Sequence, residues 1–387
     1  MAGHTEVNQT SSLGWIYVVV SDFRSPGPRQ PVPSWLPGTA VAVYGSLLIV
    51  VGVLLNATVL GSSLAVAKGS TVPAPRRLLT ANLAVVQLAA AVVVVPAGVV
   101  TEAVGAWTFG GPACRAWLVG QVLLIASAMW SVVGLDVDCL LRLAAPRRAY
   151  ATLAERHPRT VAAVTIISSW VVAALAALPI GLAVGNRQKG TDTDPTPILE
   201  DVCAVNLSSS EVIAQSLTTF LLPGTIGLTG SVAILATKAF RMIDADGTGR
   251  GECVGRVAVA AVSGACVVLW CPFFVLYTVL PFCGDGLCVD PATWTLFAWV
   301  GHSTVAVAPA AWFIDPAVRS GITHVARQFR RRFSRCPLFE SDVASAVSSA
   351  GNVGDESSCL ISVAQYQIHS PPQHHRQQSP NDSPSAA

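Results

Sequence analysis

Few side chains in the interior of this 387-residue chain carry groups able to do polar chemistry. Asp138 and Arg142 stand four residues apart, the spacing at which side chains meet on a helix, so a carboxylate–guanidinium pair at the surface is expected there. Asp136 is a second acid in the same apolar stretch. It is expected to snorkel, to meet the neighbourhood of the second apolar segment, or to serve as a proton site, since acids in such surroundings are costly. Ten cysteines offer disulfide or thiol chemistry. The sequence has neither His/Asp/Glu spacing suited to a metalloenzyme nor a glycine-rich phosphate loop. Gln87 and Gln121 leave the apolar stretches nearly devoid of charge, whereas a transporter would want paired ionisable groups there. An enzyme is therefore not expected, and no cofactor or metal is implied.

The elements that must position these residues follow from where charge is missing. Hydrophobic residues make up 52% and charged residues 12%, with mean hydropathy +0.55. Ordinary soluble domains carry roughly 25% charge. A net charge of +2 gives no basic field for nucleic acid. Seven windows lack Asp, Glu, Lys and Arg: Arg29 to Lys68, Arg77 to Glu102, Arg115 to Asp136, Arg159 to Arg187, Glu211 to Lys238, Arg256 to Asp285, and Asp290 to Asp315. Each can hold a helix of about 20 residues crossing a bilayer. A β-barrel would show short alternating segments instead. The expected fold class is all-α, a seven-transmembrane helix bundle in contact with membrane lipid. With the N-terminus outside and the C-terminus inside, nineteen of the 24 basic residues fall in cytoplasmic segments, which sets the orientation.

That topology sorts the remaining groups. Residues 1–37 form an outside tail, 38–335 the membrane domain, and 336–387 a cytoplasmic tail whose Ser, Pro, Gln and His content predicts disorder. Asn8 and Asn206 are glycosylation acceptors on the outside, while the matching patterns at Asn56 and Asn381 fall in the membrane and the cytoplasm. Cys114 opens the third span and Cys203 lies in the loop after the fourth; a bridge between them would tie that loop over the helix end. Cys283 and Cys288 bracket a four-residue loop that can close as its own disulfide. Cys336, after an Arg-rich run, is a palmitoylation candidate or a plain free thiol. Pro316 to Phe333 reads as a short amphipathic eighth helix, with Val318, Ile322, Val325, Ala326 and Phe329 apolar.

One or more residues per span, in order, resemble the rhodopsin-like G-protein-coupled receptors. They are Gly52-Val-Leu-Leu-Asn56; Asn82-Leu-Ala84; Trp107-Thr-Phe-Gly with Cys114 and Asp138…Pro146…Tyr150; Trp170 and Pro179; Pro223; Trp270-Cys-Pro272-Phe-Phe274; and Trp299-Val-Gly301…Pro309. The resemblance covers roughly residues 40–333. Pro96, Trp107-Thr-Phe-Gly, the stretch from Phe273 to Cys283 and Trp299-Val-Gly301 look most like the biogenic-amine group. The resemblance implies a receptor in the plasma membrane with a small-molecule ligand and a heterotrimeric G protein as partners. It implies a pocket lined by Gln121, Ser216, Thr219, Trp270, Phe273, Phe274, Tyr277 and Trp299. The rings would stack on the ligand, and Trp270 would form the floor.

Several positions depart from the family pattern. Gln121 stands where amine receptors carry the Asp that pairs with the ligand ammonium. An amide offers only neutral hydrogen bonds, so a simple cationic amine is a poor ligand. Gln87 replaces the sodium-site Asp, with Ala128, Thr304, Val305 and Ala308 as its companions, so no sodium site is expected. The coupling motif reads Asp138-Cys139-Leu140, and Glu252 fits the acid that locks a resting Arg which Cys139 has replaced. The seventh span reads Ala308-Pro309-Ala-Ala-Trp312, and Ser231 stands where the fifth span usually offers a Tyr. Two functions follow: an orphan-like signalling receptor, or a receptor-shaped protein that does not signal and acts as a decoy or heteromer partner.

Overall fold

Long apolar segments satisfy their backbone in hydrocarbon by becoming helices, and among the described residues of the computed structural model seven do so. They are Gly38–Ala65, Ala74–Val104, Gly110–Leu143, Pro158–Leu182, Ser209–Thr237, Val254–Phe282 and Ala292–Ile314, called here the first to seventh spans. The structure describes residues 17–20, 38–65, 73–144, 149–186, 203–241, 250–283 and 291–333. Asn8, Cys288, Cys336 and the predicted C-terminal tail lie outside the described residues, as do the side chains of Asn206 and Glu252. Two compact units divide the chain, Met1–Val325 and Ala326–Ala387; of the second, only the last turns of a helix, to Phe333, are described.

The third span is central and packs against the second, fourth, fifth and sixth. The outer spans show the complementary pattern. In the first, Val43, Leu47, Val50 and Leu54 are exposed at three- and four-residue spacing, while Val41, Gly45, Leu48, Gly52 and Asn56 are buried. In the fourth, Val164, Ile167, Val171, Leu175, Leu178 and Leu182 face outward. Ala173 and Ala176 meet Ala126 of the third span, small residues that let two backbones approach closely.

Prolines shape the bundle where the sequence places them. Proline lacks an N–H and crowds the carbonyl four residues back. Ahead of Pro96 and Pro223 the helix widens into π turns, Ala90–Val94 and Leu217–Leu221. Third-span indoles donate into both turns, Trp117 Nε1 to the Val94 carbonyl (3.1 Å) and Trp130 Nε1 to the Thr218 carbonyl (3.0 Å). Pro309 leaves the carbonyl of Val305 without its helical donor. Asn56 Nδ2 donates to that oxygen (2.8 Å) and to the Gly52 carbonyl (2.8 Å). Asn56→Leu is therefore expected to lower stability by about 1–3 kcal/mol, the cost of a buried acceptor left unmet. Thermal unfolding of the detergent-solubilised protein checks this; an unchanged Tm would show that the Val305 carbonyl has another donor.

Two features lie beside the spans. A helix runs Pro316–Phe333, the segment expected to be amphipathic, with Val318 buried and Arg319 exposed. Tyr17–Val20 pairs in parallel with Ala204–Leu207, in the register Tyr17 with Ala204. The all-α helix bundle holds, and one small strand pair lies beside it, built from a β-branched run and the segment just after Cys203.

Candidate functional site

At one end of the bundle Cys114 and Cys203 are bridged, with Cα atoms 5.5 Å apart. Trp107 closes the helix start beside them. Its indole donates to the Gly110 carbonyl (2.9 Å) and packs on Trp117 (ring centroids 5.3 Å). Beyond Cys203, Leu207 and Val212 are buried, and Ser208 caps the fifth span in a reciprocal box with Glu211. The bridge therefore anchors the segment that leads into the fifth span. Cys283 is also disulfide-bonded.

Below this end the sixth span supplies a set of packed rings. Trp270 meets Phe273 (5.7 Å), Phe274 (5.9 Å) and His302 (5.2 Å). Phe274 stacks on Phe220 of the fifth span at 4.8 Å, and Phe273 contacts Tyr277 (6.0 Å) and Trp294 (5.2 Å). Gly301 is the seventh-span residue that lets Trp270 lie flat on the backbone, since a Cβ there would sit 2.3 Å from the ring. Six of the expected pocket residues, Trp270, Phe273, Phe274, Tyr277, Gln121 and Trp299, are brought into this assembly directly or through His302.

Among the described residues, the polar contacts around the rings come from amides, hydroxyls and an imidazole. Gln121 is 2% exposed, and its Nε2 lies 3.4 Å from His302 Nε2. Tyr277 donates its hydroxyl to Gln215 Oε1 (2.6 Å). Ser216 bonds the hydroxyl of Thr278, so it joins the fifth and sixth spans. The Thr219 hydroxyl is buried with no partner among the described residues. Trp299 turns toward the first span, where it meets Tyr44 (6.1 Å), and reaches the other rings through His302 (5.9 Å). His302, Phe220 and Trp294 join the site beyond the residues expected from the sequence. His302 was detectable, because it directly follows Trp299-Val-Gly301.

The opposite end holds an acid–base pair. Arg142 Nε donates to both oxygens of Asp138 at 3.1 Å, and Tyr150 donates its hydroxyl to Asp138 Oδ1 (2.7 Å). The pair is present but is not a surface pair: the Asp138 side chain is only 5% exposed, because the short helix Ala149–Arg156 brings Tyr150 over it. Burial, followed by the hydrogen bond and the charge of Asp138, holds the Tyr150 phenol above its ordinary range. Cys139 beside them is a buried free thiol. Glu252 falls in the first turn of the helix that carries the sixth span.

Asp136 corrects an expectation. It neither snorkels nor meets the second span. It is 1% exposed and accepts a hydrogen bond from Ser263 of the sixth span at 2.7 Å. Gly227 and Gly230 of the fifth span lie against it; at Gly230 a Cβ would come within 3.1 Å of the Asp136 Cβ. Rotation of the third span decides this, turning Asp136 away from the second.

Around Gln87, which is buried, the Thr304 hydroxyl bonds its own helix at the Gly301 carbonyl (2.8 Å), and the Val305 carbonyl is taken by Asn56. The Asn82-Leu-Ala84 and Trp170 positions are joined instead: Trp170 Nε1 donates to Asn82 Oδ1 (3.1 Å), and Asn82 Nδ2 to the Ser131 hydroxyl (2.9 Å). Spans two, three and four are locked through this network.

Seven membrane-length helices, a bridged loop over the third and a buried aromatic site below it define a seven-transmembrane receptor. The profile of the 7 transmembrane receptor (rhodopsin family) matches residues 56–311. The D(1) dopamine receptor of Carassius auratus is 26% identical over 69% of this chain and 84% of its own length. A D(5)-like dopamine receptor of Takifugu rubripes is 23% identical over 76% and 69%. The Alpha-2B adrenergic receptor of Cavia porcellus is 28% identical over 48% and 38%. The chain belongs to the rhodopsin family of seven-transmembrane receptors, with aminergic-like relatives. It is a signal-transducing, multi-pass plasma-membrane protein, and a receptor rather than an enzyme.

Proposed function

We propose that this receptor takes a neutral or weakly polar aromatic small molecule at the disulfide end, which faces outside, and signals inward to a heterotrimeric G protein. Its ligand would lie among Gln121, Ser216, Thr219, Trp270, Phe273, Phe274, Tyr277 and Trp299. Asn8 and Asn206 are the glycosylation sites of the outer face, Cys288 is the partner of Cys283, and Cys336 is a lipid-anchor site on the inner one.

The observation that carries the ligand class is Gln121. Its amide meets an imidazole inside a ring cluster, and among the described residues Gln215 with the Tyr277 hydroxyl and Ser216 with Thr278 make further polar contacts there. A protonated amine desolvated against neutral groups forfeits its counter-ion, at several kcal/mol. Aromatic faces and amides suit a flat ligand with one or two hydrogen-bonding groups. On activation the sixth span would swing about Pro272, where the backbone ladder is already broken.

The test is a cell-based G-protein activation screen of neutral aromatics against cationic amines, on the native chain and on Gln121→Asp. Neutral aromatics are expected to act on the native chain. Gln121→Asp is expected to improve responses to protonated phenethylamines at least about tenfold, as a charge-assisted bond replaces a neutral one. A native chain that responds to cationic amines as well as the Asp variant does would sink the reading.

A second reading, binding without coupling, draws on the inner end. Cys139 offers no guanidinium, and Arg142 is held by Asp138. Basal activity in Cys139→Arg where the native chain has none would favour it.

A further inference from the structure

Arg76 stands in the first turn of the second-span helix, a turn with no acidic residue. A cation there faces the positive end of the helix dipole, so it needs compensation from elsewhere. It finds two acceptors on two other elements. Arg76 Nη2 lies 2.5 Å from Asp315 Oδ2, at the junction of the seventh span with the helix Pro316–Phe333. The same nitrogen lies 2.5 Å from the carbonyl oxygen of Gly255, at the foot of the sixth span. Both partners are shielded: the Arg76 and Asp315 side chains are 11% and 6% exposed.

Each partner is suited to this contact. Asp315 uses its other oxygen, Oδ1, to accept from the Ala317 backbone N–H (3.0 Å), so one carboxylate caps the terminal helix and holds the guanidinium. Gly255 lets the guanidinium lie against the sixth-span backbone, for a Cβ there would fall 2.5 Å from Arg76 Nη1. The Nη2 amino group carries two N–H donors, so this single end of the guanidinium can serve both acceptors at once. The Gly255 carbonyl is backbone, so movement of the foot of the sixth span carries the acceptor away from Arg76.

We propose that Arg76 is a latch that holds the foot of the sixth span against the second span and the seventh-span junction. The latch rests on the reading that signalling moves the sixth span. Cys139 carries no charge of its own at this end, and Arg142 is committed to Asp138 and cannot do the same work. Outward movement of the sixth span then has to break a charge-assisted bond from Arg76, while the Arg76–Asp315 pair stays behind.

The test uses the full chain in lipid nanodiscs and measures amide hydrogen exchange. In Arg76→Ala, exchange in residues 254–260 is expected to rise at least about tenfold, the effect of losing one bond to a charged donor. Arg76→Lys, which keeps the charge on a shorter side chain that reaches less far than Nη2, should give a smaller rise and carries the test if Arg76→Ala does not fold. Arg319→Ala removes one exposed positive charge nearby and should leave the segment unchanged. Unaltered exchange in the Arg76 variants, or an equal rise in Arg319→Ala, overturns the latch whatever signalling does. Basal G-protein activation is measured on the same variants. Raised exchange with silent signalling keeps the latch and removes the coupling reading.

Discussion

Cys114→Ser is expected to produce a receptor that unfolds at lower temperature and loses its ligand. The bridge spans 89 residues of sequence. Closing a loop of that length in a free chain is worth about 4–5 kcal/mol in the loop-entropy account. Here the figure is a ceiling, because helices that remain inserted in a bilayer already restrict the opened chain. About 2–4 kcal/mol survives that discount, enough to lower Tm by on the order of 10 °C. The functional loss follows from what the bridge holds. Cys203 is followed by buried Leu207, by the Ser208–Glu211 cap, and about two helical turns after Ser208 by Gln215 and Ser216 at the ring cluster. Freeing Cys203 loosens the start of the fifth span and with it that side of the pocket. The measurement is thermal unfolding with ligand binding on Cys114→Ser, Cys203→Ser and the double variant. The three should lose the same amount, since either single change already opens the bridge. Losses that add in the double variant would mean that each cysteine stabilises by packing alone.

The second large effect is expected at Asp138. Removing a charge from a buried pair strands its partner, at about 3–5 kcal/mol. The Arg142 side chain is 18% exposed, so water recovers part of that loss. About 2–4 kcal/mol is expected for Asp138→Ala. The Arg142 Nη2 atom is buried with no hydrogen-bond partner among the described residues, so the guanidinium has little else to hold it. The change also releases the Tyr150 hydroxyl, and with it the helix Ala149–Arg156. Tyr150→Phe, which removes one hydrogen bond and keeps the ring, should cost about 1–2 kcal/mol. The two changes together should cost less than their sum, because they share one contact. Strict additivity in urea or thermal unfolding would show that Tyr150 is held by packing and not by Asp138. A receptor that lost this pair should couple poorly even at temperatures where it stays folded, as the connection between the third and fourth spans would be unanchored.

What could be read from residues alone divides along a physical line. The seven spans were legible because hydrocarbon penalises each charge where it stands, so absence of charge is a local signal. The terminal helix was legible from its apolar spacing, and the Asp138–Arg142 pair from the fixed geometry of one helix. The bridge between Cys114 and Cys203 followed from topology. His302 escaped notice because its meaning depends on a residue 181 positions away, Gln121, across the bundle. Arg76 was legible only as a topology-setting charge, for its acceptors lie 179 and 239 residues along the chain.

The sequence by itself determined how many times the chain crosses the membrane, where the proline distortions fall, and which chemical groups the interior has to work with. Tertiary structure decided which of those groups meet. Asp136 faces Ser263 and the fifth span and not the second, Asn56 serves the carbonyl that Pro309 sets free, and Arg76 reaches the sixth span and the seventh-span junction. Each of these depends on the rotation and depth of a helix about its own axis. Those quantities come from the summed packing of all seven spans, and no local stretch of residues contains them.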